Sequence, residues 1–163
     1  MSDNTKYIDK AKAEAQGFVR TSVGVVKLTA IEQLFYKGRL SYGNKRYCEE
    51  DRLRAANKLS SDYEKSHFNT ISSFWKNDKV DQQSGRASPS VEYFRSRYLT
   101  AVKSIPHEFW SAVRQVCIEN ILPQPPVDIP ARRRTELKYL FCWDLCRGLD
   151  RLIDHYTAFK IKF

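Results

Sequence analysis

Apolar residues toward the C-terminal end recur at three- and four-residue steps: Leu137, Phe141, Leu145, Leu149, Leu152 and Tyr156. That spacing marks one face of an α-helix. It predicts a helix from about Ala131 to Phe159, ~42 Å long at about 1.5 Å per residue. Gly148 lies inside it, at a cost of about 1 kcal/mol against alanine, which points to a close helix crossing there. Val91, Phe94, Tyr98, Val102 and Ile105 repeat the same period after Ser88-Pro89, where proline suits a first helical turn. Pro106 opens a further helix whose stripe is Phe109, Val113, Val116 or Cys117, and Ile121. The proline-rich stretch Leu122 to Pro130 stops it and forms a stiff linker.

The first half of the chain is punctuated differently. Phe18 to Lys27 is β-branched and weakly alternating, the pattern of a short strand or extended arm. Thr29-Ala-Ile-Glu32 fits a capping box and starts a short helix, Ala30 to Tyr36, with Gly38 as a suitable residue just past its end. A turn around Gly43-Asn44 leads to a second helix from about Tyr47 to Phe68, with Leu53, Ala56, Leu59 or Ser60, and Tyr63 on one face. Residues 76–90 are polar and read as a flexible connection. The expected architecture is all-α, a single helical domain of five main helices with a long C-terminal helix. Its parts are a polar arm over 1–28, a helix-turn-helix-like pair over 29–75, a linker over 76–90 and a helical core over 91–163.

Composition adds compartment and partner. The 163 residues carry 42% hydrophobic and 13% aromatic side chains, too rich in core formers for disorder. No run is apolar enough to span a membrane, and the polar start lacks a secretory h-region, so a cytoplasmic, membrane-free protein is expected. Cys48, Cys117, Cys142 and Cys146 lie mostly in apolar helical runs. They read as reduced thiols acting as small hydrophobes.

The net charge of +9 is unevenly spread. Residues 1–47 hold nine basic and four acidic side chains, 48–130 eleven of each, and 131–163 eight basic and four acidic. Lys37, Arg39, Lys45 and Arg46 lie in a window, 33–48, that contains no acid, and Arg132, Arg133 and Arg134 form a second cluster. Clustered cations suit a polyanion, because neutralised phosphates release condensed counterions. The plainer alternative is a solvated surface that keeps a small protein soluble.

Motifs for chemistry are sparse. Cys142 and Cys146 share a helix face one turn apart, but no second close ligand pair completes a zinc site. Cys117 with His107 could form a nucleophilic pair, yet no strained elbow presents it. Glu49, Glu50 and Asp51 suit the positive end of a helix dipole. There is no P-loop, no G-x-G-x-x-G and no H-E-x-x-H. A non-enzymatic protein without cofactor or metal is expected.

Thr29 to Asn57 reads as helix, glycine-containing turn and longer helix, an order that fits a helix-turn-helix, although Gly38 to Arg46 exceeds a tight turn. In that reading Lys37, Arg39, Lys45 and Arg46 hold phosphates, while Arg52 and Arg54 probe the groove. Arg132 to Arg134, at a helix start where bare cations oppose the dipole, add a second anion anchor. Base stacking on aromatics such as Trp75, Trp110 and Trp143 is the less favoured use of residues that read as core.

Three segments together resemble a helical domain family of phage and alphaproteobacterial proteins often joined to helix-turn-helix regulators. They are Gly38 to Tyr47 leading into Arg52 to Glu64, Tyr98 to Cys117, and Ile129 to Tyr156. The resemblance implies an all-helical fold and a role near transcription or phage DNA, with no catalytic residues to carry over. The expected function is a small double-stranded-DNA-binding transcriptional regulator, working as a dimer because one helix reads too few base pairs. The alternative is a protein–protein adaptor, a phage packaging component or a polymerase modulator, using exposed aromatics and the 122–130 linker.

Overall fold

The structure is a computed structural model and describes residues 17–21, 24–76 and 89–163. Strands β1 (Phe18–Thr21) and β2 (Gly24–Lys27) pair antiparallel, with Phe18 opposite Lys27 and Thr21 opposite Gly24. The β-branched segment therefore folds back on itself. The Leu28 N–H closes the hairpin's base by donating to the Gly17 carbonyl at 2.6 Å. Among the described residues five α-helices follow: α1 (Ala30–Tyr36), α2 (Glu49–Lys76), α3 (Pro89–Ser104), α4 (His107–Val113) and α5 (Ala131–Ala158). The body is all-α with a long last helix, as the periodicity requires.

Local chemistry sets the ends of α1. The Thr29 N–H donates to the Glu32 carboxylate at 2.8 Å and the Glu32 N–H donates to Thr29 Oγ1, a complete capping box. At the other end the Arg39 N–H reaches the Leu34 carbonyl and the Gly38 N–H the Phe35 carbonyl, both at 2.9 Å. Gly38 takes φ +62° to allow this double closure. Helix α2 runs to Lys76, past the expected Phe68, because no breaker intervenes. Most of the expected 76–90 connection lies outside the described residues.

Helix α4 continues as one π-helical turn, Arg114–Ile118, closed by the Glu119 N–H on the Arg114 carbonyl at 3.0 Å. Asn120 then adopts φ +56°, a conformation asparagine tolerates better than most residues. Its side-chain oxygen accepts the Ala30 N–H at 2.6 Å, tying this reversal to the start of α1. Ile121, expected on the buried stripe, is consequently exposed. The helix has ended, and past the left-handed turn it is Leu122 instead that packs against the core.

One apolar core unites the helices. Ile31 and Leu34 of α1, Ala55 and Leu59 of α2, Ala101 of α3 and Ile105 just past its end meet Val113 and Val116. Leu145, Leu149, Leu152 and Tyr156 of α5 complete it. Each such large side chain stabilises by about 1.5–3 kcal/mol when fully buried. Gly148 marks the predicted crossing: a Cβ there would stand 2.5 Å from Val113 Cγ2 and 3.2 Å from Phe109 Cβ. Beside this core Asp62 of α2, wholly buried, accepts two hydrogen bonds from Arg97 of α3, from Nε at 2.9 Å and Nη2 at 2.6 Å. This bidentate pair fixes α3 against α2.

Candidate nucleic-acid interface

The cation-rich segment 37–48 is laid along α5 and held there by a buried hub. Arg52 is only 2% exposed. Its Nε donates to Asp150 Oδ1 at 2.7 Å, Nη1 to the Leu40 carbonyl at 2.8 Å and Nη2 to the Asn44 carbonyl at 2.7 Å. The Asn44 N–H donates to the other Asp150 oxygen at 2.8 Å. Gly43, at φ +103°, passes so close that a Cβ would come 2.7 Å from Asp150 Oδ2. Farther along α5 the Tyr47 hydroxyl donates to Asp154. The segment has almost no regular structure of its own, so these side chains fix its shape.

The hub corrects the sequence reading of Arg52. Its guanidinium faces inward and is engaged by an aspartate and two carbonyls, so it cannot probe a DNA groove. The first turn of α2 carries Glu49, Glu50 and Asp51 and would repel phosphate. Residues 37–48 separate α1 from α2, so the two helices do not form a tight helix-turn-helix. Arg54 is exposed on α2 but stands beside those acids. The Asp51 carboxyl lies below its ordinary range, chiefly because the Cys48 thiol donates to it at 3.1 Å, with Arg54 adding a smaller effect.

Other cations lie where a polyanion could reach them. Lys37, Arg39, Lys45 and Arg46 are all exposed. Arg39 Nη1 donates to the Tyr42 hydroxyl at 3.3 Å, and Arg46 lies 5.8 Å from the centre of the Tyr47 ring. On α5, Arg132 and Arg133 are exposed and pair with Glu136 at 3.5 and 3.1 Å. Exposed pairs of this kind contribute about 0–1 kcal/mol and are readily exchanged for a better partner. Arg134 turns partly inward, its Nε buried without a hydrogen-bond partner.

One arginine of each cluster borders a pair of touching tyrosines. The rings of Tyr42 and Tyr139 touch edge to face with centroids 4.8 Å apart. Arg132 precedes Tyr139 by two helical turns, so the two share a helix face about 10 Å apart along the axis. Arg39, on Tyr42, and Arg132 therefore border the same patch. Lys45 and Arg46 do not join it, because Asn44 is pinned at Asp150, roughly 16 Å down α5 from Tyr139. Tyr139 and Leu140, which the stripe reading passed over, are 45% and 53% exposed. Their signal was present in the sequence as apolar residues off the Leu137–Phe141 stripe. With Thr135 and Glu136 they line a shallow groove of about 400 Å³.

A second cleft, of about 560 Å³, lies where Asn44 approaches Phe109, Trp143 and Arg147. Arg147 covers the Phe109 and Trp143 rings at 5.7 and 5.6 Å. The cleft's Asp150 and Asp154 are already engaged by Arg52, Asn44 and Tyr47. Among the described residues no three His, Cys, Asp or Glu side chains converge as metal ligands would. Cys117 and Cys146 are buried core residues whose thiols burial pushes up to about 12, leaving little thiolate at neutral pH. Among the described residues no helix is long and apolar enough to cross a membrane. No protein-family model, curated protein or solved structure matches the chain.

Proposed function

We propose that this protein is a small DNA-binding regulator, of the phage or alphaproteobacterial kind that three of its segments resemble. It grips phosphates with Lys37 and Arg39 on one side of the Tyr42–Tyr139 contact and with Arg132 and Arg133 on the other. The observation that carries this reading is the exposure of these cations beside an acid-free segment, 33–48, that a buried ion pair holds rigid. A rigid mount matters because ordering a floppy loop on binding would cost about 1–2 kcal/mol per residue. Lys45 and Arg46 extend the contact along α5, and dimerisation multiplies it. No catalysis, metal or cofactor is part of the proposal.

Anisotropy of a labelled duplex at two salt concentrations tests it. The four contacts of Lys37, Arg39, Arg132 and Arg133 in one protomer already predict an affinity falling at least about 100-fold between roughly 50 and 200 mM salt. The double variant K37E/R39E should flatten the salt slope by about 2. Absence of binding at the lower salt, to a duplex and to a single strand alike, would refute the reading. A second reading, a protein–protein adaptor, is favoured by the exposure of Leu140, Ile121 and Val127.

A further inference from the structure

Taking the phosphate-binding reading as its basis, we propose that the Tyr42–Tyr139 face is a base-stacking platform that receives an unpaired base, so that the preferred ligand is single-stranded DNA. The groove beside Tyr139 is a built feature of one helix face, because Thr135, Glu136, Tyr139 and Leu140 stand at i, i+1, i+4 and i+5. At about 400 Å³ it falls within the roughly 300–1,000 Å³ of small-ligand sites. Two large apolar side chains, half in water, border it at a cost in hydration that the fold itself does not require.

Charge chooses the occupant. Arg132 and Arg133 lie one to two turns toward the helix start on this face, and Arg39 is hydrogen-bonded to Tyr42 at its other border. The one acid lining the groove, Glu136, is outweighed by the two arginines paired with it. A partner must therefore offer a flat apolar face with anionic groups on either side, which describes a nucleotide in an unpaired strand. Base pairs in a duplex bury their faces against each other and cannot make this contact. Nor does the start of α2 serve as a groove reader, since Arg52 is buried and the helix begins with three acids. Stacking on aromatic side chains between backbone-tracking cations is the usual mode for single strands.

The test is anisotropy of the full-length protein with a labelled oligothymidylate and with a duplex of equal length. The platform predicts tighter binding to the single strand. Tyr139→Ala should weaken that binding by about 5- to 150-fold, the equivalent of the ~1–3 kcal/mol of one stacked base. Tyr139→Phe should retain it, and neither variant should change the salt slope or the duplex affinity. Tyr139 is half exposed, and circular dichroism checks that the variants stay folded. If Tyr139→Ala leaves single-strand binding intact while K37E/R39E abolishes it, the platform is wrong and the phosphate reading stands. If neither oligonucleotide binds at low salt, or if only anionic phosphatidylserine vesicles bind, both are wrong.

Discussion

Replacing Asp150 by alanine removes three hydrogen bonds at once: two from Arg52, at 2.7 and 3.2 Å, and one from the Asn44 N–H at 2.8 Å. It leaves a guanidinium that is 2% exposed facing a cavity rather than a carboxylate. Breaking one side of a buried ion pair costs about 3–5 kcal/mol, most of it the desolvation of the charge left behind. For a chain of 163 residues each kcal/mol shifts the midpoint by about 2–4 °C, so a thermal melt should fall by roughly 6–20 °C. The loss should also be local. The Asn44 amide loses its acceptor, so its hydrogen exchange should quicken by more than that of Leu149 or Leu152 in the core. The double variant Arg52→Met/Asp150→Leu leaves no unpaired charge and should recover much of the stability. A melting point for Asp150→Ala within about 2 °C of the unaltered protein would show that the hub does not hold the segment. So would a double variant no better than either single one.

Gly148→Ala should destabilise by about 1–3 kcal/mol in a denaturant titration, because its Cβ would stand 2.5 Å from Val113 Cγ2 and the helix-propensity gain of about 1 kcal/mol offsets only part of the overpacking. A stabilised variant would mean that α4 and α5 can move apart freely. His155 is buried with Nε2 lacking a partner, and burial holds its pKa below the ordinary 6.5. Between that depressed value and 6.5 the unfolded chain binds more protons than the folded one, so stability should fall as pH drops below about 6.5. His155→Phe, which keeps the ring contacts with Tyr156 and Phe159, should weaken that pH dependence in a series of melts; an unchanged slope contradicts the assignment.

Much of the fold follows from interactions short in sequence. The capping box at Thr29, the glycine closure at Gly38, the proline start of α3 and the 3.6-residue stripes of α3 and α5 involve partners a few positions apart. Their geometry is thus written in the local order of residues. The clustering of charge is equally a property of the sequence, since counting requires no coordinates. Whether a charged side chain faces water depends instead on residues far away in the chain. Arg52 looks like any helix-start arginine until the fold brings it to Asp150, 98 positions on, and Asp62 looks like surface until Arg97 closes over it. The same holds for Tyr42 and Tyr139, whose contact brings Arg39 and Arg132 to the borders of one patch. Periodicity identifies which face of a helix is apolar, but tertiary packing decides how many turns of that face find a partner. In α5 the turns around Gly148 are buried against α4, while those around Tyr139 and Leu140 are left open.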